Sequence, residues 1–151
     1  MNIWYPSYLY CVRTDDLIQN LIKRSEEARK RAYCPYSKFA VGAAIYCDDG
    51  SIVTGCNVEC IVLGLTNCAE RTAVFKAVSE GKTKFSMIAV AAVNEDKIVS
   101  PCGQCRQMLA EFNPRIPIYL YNPTTNMVGY GTLEYFLPHS FNPENVRLDG
   151  P

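Results

Sequence analysis

Three cysteines and one glutamate, in two short motifs, are the side chains of this sequence best suited to metal chemistry. The motifs are residues 68–70 (Cys-Ala-Glu) and residues 101–105 (Pro-Cys-Gly-Gln-Cys). Zinc prefers a tetrahedron of ligands with zinc–sulfur distances of about 2.3 Å, and a catalytic zinc keeps one position for water. Cys68, Cys102 and Cys105 therefore predict one zinc ion per subunit with one position open. Glu70 is too close to Cys68 to be a fourth ligand, but it can act as the base for a water on the metal.

Two predicted helices carry these motifs. A helical period begins directly after Cys68 and ends at Gly81, which places this cysteine at the start of the first helix. Pro101 is predicted at the first position of the second helix, so that both cysteines of its motif lie on one face. The partial positive charges of two helix N-termini then favour thiolate over thiol. Arg71 is predicted to offset the remaining negative charge through hydrogen bonds to the ligand sulfurs.

The rest of the pattern predicts an α/β fold. Thr14 is predicted to cap an amphipathic helix, and Asp-Asp-Gly at 48–50 predicts a hairpin between the first two strands. The predicted strands are Val41–Cys47, 51–58, 86–93, 116–121 and Met127–Thr132, and a short helix is predicted at 132–137. The order α-β-β-α-β-α-β-β-α predicts a three-layer α/β/α sandwich with one five-stranded mixed sheet.

Length, charge and cysteine content restrict the class of protein. The 151 residues suit a single domain, and 15 basic residues balance 15 acidic residues, so no net field attracts DNA or RNA. The longest charge-free stretch, residues 116–133, is interrupted by prolines and polar residues and is not expected to span a membrane. Eight cysteines without a signal-like N-terminus favour a reducing, cytoplasmic environment.

Residues 17–141 resemble the small cytidine deaminases, specifically the homotetrameric class that uses three cysteines per zinc. The two cysteine motifs match the all-cysteine form of the zinc deaminase signature. The other motifs that carry the resemblance are residues 33–37 (Tyr-Cys-Pro-Tyr-Ser) with Phe39, 41–44 (Val-Gly-Ala-Ala), 55–59 (Gly-Cys-Asn-Val-Glu), 70–73 (Glu-Arg-Thr-Ala), 105–107 (Cys-Arg-Gln) and 137–138 (Leu-Pro). Residues 1–13 fall outside the match, and residues 1–151 are predicted to form one nucleoside deaminase domain.

The resemblance implies hydrolytic deamination of cytidine and 2′-deoxycytidine to uridine and 2′-deoxyuridine plus ammonia, a step of pyrimidine salvage. A zinc-bound hydroxide would attack the ring carbon that carries the amine, with Glu70 as the proton shuttle. The implied substrate contacts are Phe39 stacked on the base, Asn57 and Glu59 on the sugar 3′-hydroxyl, the Ala69 N–H on the base carbonyl and the Ser100 carbonyl on the displaced amine. A buried Glu59 carboxylate would reject a 3′-esterified sugar, which favours free nucleosides over polynucleotides. A homotetramer is implied, with Phe141 reaching a neighbouring subunit's site.

Other interpretations stay open on the sequence alone. Cys56 or Cys60 could supply the fourth ligand of a structural zinc, and a catalytically silent zinc-binding interaction module is the alternative outside enzymes. A deaminase of another aminopyrimidine nucleoside, or of RNA, is the alternative within enzymes. Phe39 and Phe141 could instead pack within their own subunit. Residues 60–64 (Cys-Ile-Val-Leu-Gly) depart from the family, since they are apolar and lack the tyrosine that contacts a neighbouring site.

Overall fold

The first helix, α1 (Asp16–Arg29), begins one residue later than a Thr14 cap requires. A computed structural model describes residues 15–146, so Thr14 itself lies outside the described residues. Asp15 is the cap, because its carboxylate accepts the Ile18 N–H at 3.0 Å. An aspartate at this position satisfies a free N–H of the first turn and also places negative charge at the positive end of the helix.

The sheet has five strands in the order β2-β1-β3-β4-β5. Their bounds are β1 (Val41–Cys47), β2 (Ile52–Cys56), β3 (Phe85–Ala92), β4 (Pro117–Asn122) and β5 (Met127–Thr132). Strands β3 and β4 are parallel, and the other neighbours are antiparallel. The second strand ends two residues earlier than predicted. Val58, beyond its end, forms isolated bridges with Tyr33 and Asn67 and does not continue the pairing with β1. Its N–H and carbonyl bond to Asn67, whereas the bridge to Tyr33 is made by the carbonyl of Asn57 and the N–H of Glu59.

Helices α2 (Ala69–Ser79) and α3 (Gly103–Phe112) start inside the two cysteine motifs, and α4 (Leu133–Phe136) follows β5. The prediction that Pro101 opens α3 was wrong. Cys102 has an extended backbone, with φ −67° and ψ 165°, and its carbonyl accepts the Arg106 N–H at 3.0 Å. Cys102 is therefore the N-cap, and Pro101 precedes the helix. A single 3₁₀ turn (Leu63–Leu65) lies between β2 and α2.

The two faces of the sheet carry different helices. One face packs against α1 and the opposite face against α2 and α3, which confirms the three-layer α/β/α sandwich. The strand residues buried on the α1 face include Ala44, Ala89 and Tyr119, and those on the opposite face include Ala43, Ile45, Ile88, Ile118 and Leu120. Alternation along each strand separates the two sets. Among residues 15–146, no helix is both long enough and apolar enough to cross a membrane.

Glycines in the neighbouring strands β1 and β2 bring the helices close to the sheet. A Cβ atom on Gly55 would lie 2.4 Å from the Ala73 nitrogen and 2.6 Å from the Ala69 carbonyl oxygen of α2. On the other face, a Cβ atom on Gly42 would lie 2.1 Å from the Ser25 carbonyl oxygen of α1. Both contacts involve helix backbone, which cannot move aside as a side chain can. The position of α2, and of the motif at its start, is thus fixed by the absence of a side chain at Gly55.

Candidate active site

The three cysteine sulfurs converge as predicted. Cys68 Sγ lies 3.9 Å from Cys102 Sγ, and Cys102 Sγ lies 3.6 Å from Cys105 Sγ. All three sulfurs lie within 4.8 Å of one another. A zinc tetrahedron with zinc–sulfur distances of about 2.3 Å has sulfur–sulfur edges of about 3.8 Å. The donor set and its spacing therefore fit one zinc ion.

The cluster contains no fourth protein ligand within residues 15–146. Cys56 and Cys60, the candidates for closing a structural site, do not belong to it. The Cys56 thiol instead donates to the Arg31 carbonyl, with a sulfur–oxygen distance of 3.4 Å. Three protein ligands are the number found in catalytic zinc sites, whereas structural sites normally have four.

Two helix starts hold the sulfurs together. Cys68 and Cys102 are the N-caps of α2 and α3, and both have extended backbone. Neither side chain accepts a capping hydrogen bond from its own helix, so both sulfurs are free for other partners. Cys105 lies one turn into α3 and is fully buried. The partial positive charge at each helix start stabilises a thiolate there.

The clustered thiols differ in pKa. The interaction with Cys105 lowers the pKa of Cys68 to about 5 against the effect of burial, with further lowering by Arg71 and Cys102. The same interaction, together with burial, raises the pKa of Cys105. The metal-binding form of cysteine is the thiolate, so zinc binding must release the thiol proton of Cys105.

Glu70 lies in the first turn of α2 beside this cluster and is 4 % exposed. Burial raises the pKa of its carboxyl. A hydrogen bond from its own backbone N–H opposes the rise, the charge on Cys68 adds to it, and a hydrogen bond from Cys105 lowers the pKa again. A buried carboxyl group in contact with a metal-ligand set has the position and the environment of a general acid–base.

The guanidinium of Arg71 lies against the sulfur of Cys68. Its Nη2 lies 3.8 Å from Cys68 Sγ and donates to the Thr66 carbonyl at 3.2 Å. Burial lowers the pKa of Arg71, but hydrogen bonds and charge interactions with Cys68 and Cys105 outweigh it, so the pKa is raised. Its Nε is buried and has no hydrogen-bond partner among the described residues.

The predicted substrate residues Phe39 and Asn57 share one hydrogen-bond network. Asn57 Oδ1 accepts the Val41 N–H at 2.8 Å, and Asn57 Nδ2 donates to the Phe39 carbonyl at 2.9 Å. The network continues through Val58, which exchanges two backbone hydrogen bonds of 2.9 Å with Asn67. Asn67 directly precedes the first cysteine ligand in the chain, so this loop is tied to the cluster. Phe39 is 38 % exposed, and the alternative that it belongs to the core is wrong.

Glu59 is held by backbone, but it is not buried within the chain. Its carboxylate accepts the Tyr36 N–H at 2.9 Å, the Ser37 N–H at 3.2 Å and the Ser37 hydroxyl. The Ser37 hydroxyl bond is the largest cause of a lowered pKa for this carboxylate. The expectation of a buried carboxylate was wrong for the single chain, because these partners belong to a surface loop and not to the core.

The remaining predicted contacts lie at three separate places. Ala69 is the first residue of α2, so its N–H has no acceptor within the helix and is available to a ligand. Ser100 lies in the exposed loop before α3, and its hydroxyl accepts a hydrogen bond from Arg106 Nη2 at 2.9 Å. Phe141 is 68 % exposed, so packing of its ring inside its own subunit is wrong. Gln107 Nε2 donates to the Phe141 carbonyl at 2.5 Å and fixes the backbone there.

Two residues of this region were not singled out by the sequence. Ser37 anchors Glu59, and Arg106 binds the loop that contains Ser100. Both occur inside motifs that carry the resemblance, residues 33–37 and 105–107. The sign that these two residues matter was their position inside those motifs. Their roles depend on long-range contacts as well, because Ser37 bonds Glu59 and Arg106 bonds the carbonyl of Phe136, and spacing does not encode such contacts.

The chain matches a known protein family over most of its length. The family described as "Cytidine and deoxycytidylate deaminase zinc-binding region" matches residues 15–120. This range contains all three clustered cysteines, Glu70 and Arg71.

Curated and solved proteins agree with that match. The chain is 49 % identical to the cytidine deaminase of Sporosarcina psychrophila over 133 residues, which is 85 % of this chain and 94 % of the relative. It is 46 % identical to the cytidine deaminase of Halalkalibacterium halodurans over 130 residues, covering 85 % and 97 % of the two chains. The solved structure of cytidine deaminase from Burkholderia pseudomallei superposes with a TM-score of 0.78 at 40 % identity, over 82 % of this chain and 98 % of that one.

Proposed function

The chain belongs to the zinc-dependent cytidine and deoxycytidylate deaminase family, and on that premise we propose that it hydrolyses cytidine and 2′-deoxycytidine to uridine and 2′-deoxyuridine plus ammonia. The observation that carries the proposal is the cluster of three sulfurs at zinc-binding distance beside the buried carboxyl group of Glu70. A zinc-binding module without catalytic activity would not require a buried carboxyl group beside the three sulfurs.

Cys68, Cys102 and Cys105 bind one zinc ion per subunit. When bound there, zinc supplies the activation of water for attack on the ring carbon that carries the amine. Glu70 would accept one proton of that water and deliver it to the ring nitrogen. It would then take the second proton of the same water, from the hydroxyl on the attacked carbon as the new carbonyl forms, and pass it to the departing amine, which leaves as ammonia. Arg71 stabilises the thiolate charge on the ligands, since its guanidinium lies against Cys68 Sγ.

The base is held by backbone groups and by Phe39. The Ala69 N–H binds the base carbonyl, and the Ser100 carbonyl accepts a hydrogen bond from the amine. Phe39 stacks on the ring, and its exposed side chain is available for that contact. Backbone donors and acceptors at the start of a helix are rigid, so they orient the reacting carbon without loss of side-chain entropy.

Hydrogen-bond capacity supports a sugar-binding role for Asn57 and Glu59. The Asn57 amide uses one of its two N–H groups and one lone pair, which leaves a donor and an acceptor. The Glu59 carboxylate accepts three hydrogen bonds and retains one acceptor position. A free sugar 3′-hydroxyl can donate to that position. A 3′-esterified sugar cannot, so nucleosides are the substrates and nucleic acids are not.

The assembly is a homotetramer in which Phe141 contacts the active site of a neighbouring subunit. Exposed apolar side chains support an oligomer: Ile61 is 77 % exposed, and Leu63 and Leu65 are exposed to a similar extent. Contiguous apolar surface of this kind marks an interface. A surface cavity of about 780 Å³, lined by Gly64, Arg71 and one side of α3, lies next to this segment. The enzyme acts in the cytoplasm, in pyrimidine salvage.

A substrate panel tests the proposal. The purified protein is incubated with cytidine, 2′-deoxycytidine, cytosine, cytidine monophosphate and a cytidine-containing oligonucleotide, while ultraviolet absorbance and ammonia are measured. Deamination of the two nucleosides alone is the expected result. Activity on the oligonucleotide alone would overturn it, and a zinc-loaded protein without activity on any member would favour the silent module.

A further inference from the structure

Arg106 ties three backbone and side-chain groups around the start of α3. Its Nε donates to the Pro101 carbonyl at 2.7 Å, its Nη1 to the Phe136 carbonyl at 2.9 Å and its Nη2 to the Ser100 hydroxyl at 2.9 Å. The guanidinium carbon also lies 5.6 Å from the centre of the Phe136 ring. The planar fork of arginine reaches all of these acceptors at once, which a lysine cannot do.

These contacts leave one acceptor of the loop free. Arg106 occupies the Ser100 hydroxyl and the Pro101 carbonyl, whereas the Ser100 carbonyl accepts no hydrogen bond from residues 15–146. The backbone direction of residues 100–101 is therefore set by Arg106 from one side. Helix α4 anchors this arrangement, because the carbonyl of its last residue, Phe136, accepts the hydrogen bond from Nη1 on the other side of the guanidinium.

We infer that Arg106 is a positioning residue that aims the free Ser100 carbonyl at the amine of the substrate, and so determines recognition of an amino pyrimidine over a keto pyrimidine. The inference rests on the proposed function, in which that carbonyl accepts the amine. It differs from the role of Arg71, which acts on a ligand sulfur. Arg106 acts on the loop that precedes Cys102, and its own contacts are all with oxygen atoms and an aromatic ring.

The test separates binding from turnover. In the Glu70→Gln background, the dissociation constants of cytidine and uridine are measured by calorimetry with and without Arg106→Gln. Cytidine carries the amine that donates to the Ser100 carbonyl and uridine does not. We expect the cytidine constant to rise about tenfold and the uridine constant to change by less than about twofold, because one hydrogen bond from the ligand is lost. Equal weakening of both ligands, or no change in either, would overturn the inference.

Further variants distinguish positioning from general damage. Arg106→Lys should recover part of the cytidine affinity, since lysine can still bind one acceptor. Arg115→Gln is the matched control, because Arg115 makes two bonds of 3.0 Å to Glu144 outside this loop and should leave both ligands unaffected. Cobalt(II) in place of zinc should give the same absorption spectrum with Arg106→Gln as without it. A changed spectrum would mean that Arg106 acts on the ligands, which contradicts the inference.

The activity of the wild-type protein separates failure of the proposed function from failure of the role of Arg106. If the wild-type protein does not deaminate cytidine, the proposed function fails whatever the binding ratio. If it deaminates cytidine while Arg106→Gln leaves the ratio of the two dissociation constants unchanged, the role of Arg106 fails alone.

Discussion

Three thiolates carry more negative charge than one zinc dication neutralises, so this site needs other positive charge close by. The N-terminal ends of α2 and α3 supply part of it, because Cys68 and Cys102 are their caps. The guanidinium of Arg71, 3.8 Å from Cys68 Sγ, is placed to supply another part. In the proposed function, a lower negative charge on the ligands would strengthen the activation of water that zinc supplies and would ease proton transfer to Glu70.

Arg71→Ala should retain zinc at least in part and lose rate. Without the guanidinium the ligand charge is less compensated, and we expect kcat to fall about 100-fold, the lower end of the loss that follows removal of one preorganised electrostatic group. Zinc content by plasma mass spectrometry and cytidine turnover check this. Lys76→Ala, on the exposed side of the same helix, is the control for loss of a positive charge. Turnover of Arg71→Ala at the wild-type rate would remove the role.

Glu70→Gln should bind zinc and cytidine and turn over almost nothing. The substitution keeps the shape of the buried side chain but removes the group that accepts and returns protons. Proton transfer by one positioned group contributes about 10²- to 10⁴-fold, so kcat should fall by about three orders of magnitude. Single-turnover kinetics with zinc analysis measures this. Retention of about one hundredth of the activity or more would assign the proton transfers to another group.

How much of the site could be predicted depends on what each residue contacts. The cysteine cluster followed from sequence because metal geometry restricts ligand types and spacing. The placement of the Arg71 side chain next to Cys68 also followed from sequence. Residues three apart on a helix share a face, and Cys68 caps the helix that contains Arg71. The exposure of Glu59 and the anchoring roles of Ser37 and Arg106 did not follow. They arise from contacts between residues far apart in sequence: Glu59 accepts hydrogen bonds from Tyr36 and Ser37, and Arg106 reaches the carbonyl of Phe136.

At the scale of elements, periodicity predicted all five strands and the helices that flank them, but not the first residues of α1 and α3. Both misplaced starts involve caps. Two adjacent residues, Thr14 and Asp15, are both good caps, and sequence does not distinguish them. At α3, the preference of proline for the first helical turn suggested Pro101. A cysteine that must keep extended backbone to present its sulfur takes the cap position instead.

Two glycine substitutions distinguish a loss of folding stability from a displacement of the zinc ligands. Gly42→Ala would push on α1, which carries none of the proposed site residues, whereas Gly55→Ala would push on α2 at Ala69 and Ala73. Because both contacts are with backbone, each should lower the free energy of unfolding by about 3 kcal/mol or more. We expect only Gly55→Ala to weaken zinc retention in the folded fraction, because it displaces the helix that starts at Cys68.

Thermal unfolding and competition with a chromogenic zinc chelator measure the two effects. Gly64→Ala is the control, since a Cβ atom there meets nothing within 4 Å. Equal loss of zinc in Gly42→Ala and Gly55→Ala would show that zinc retention follows overall stability and not the position of α2.

At the scale of the whole molecule, the apolar side chains of the segment between β2 and α2 point outward. Val62 as well as Ile61, Leu63 and Leu65 is exposed, and the 3₁₀ turn in this segment buries no residue. Where the family has a tyrosine that contacts a neighbouring site, this chain offers an aliphatic surface. A role in assembly is consistent with such a surface, whereas a direct hydrogen bond to a substrate is not.

The proposed sharing of active sites can be tested by complementation. Glu70→Gln chains lack the proton shuttle, and Phe141→Ala chains lack the aromatic ring, so each homo-oligomer should be impaired. Loss of an aromatic anchor at an interface costs about 2 kcal/mol or more, so the activity of the Phe141→Ala oligomer should fall about 30-fold. Co-expression with two affinity tags yields oligomers that contain both chains. If Phe141 serves a neighbour, a Phe141→Ala chain with intact Glu70 receives the ring of a Glu70→Gln partner, and mixed oligomers should exceed the mean activity of the parents.

Sedimentation velocity of the same preparations gives the oligomeric state, with a tetramer as the expected mass. Activity of the mixed oligomers at or below the parental mean would place the ring in its own subunit's site. The exposed position of Phe141 argues against that outcome: its ring is 68 % exposed in its own chain, while its backbone is fixed by Gln107 of α3. An exposed aromatic side chain on a fixed stretch of backbone is suited to bind in a neighbour's pocket, because its ring buries a large apolar area and the backbone loses little further entropy when it docks.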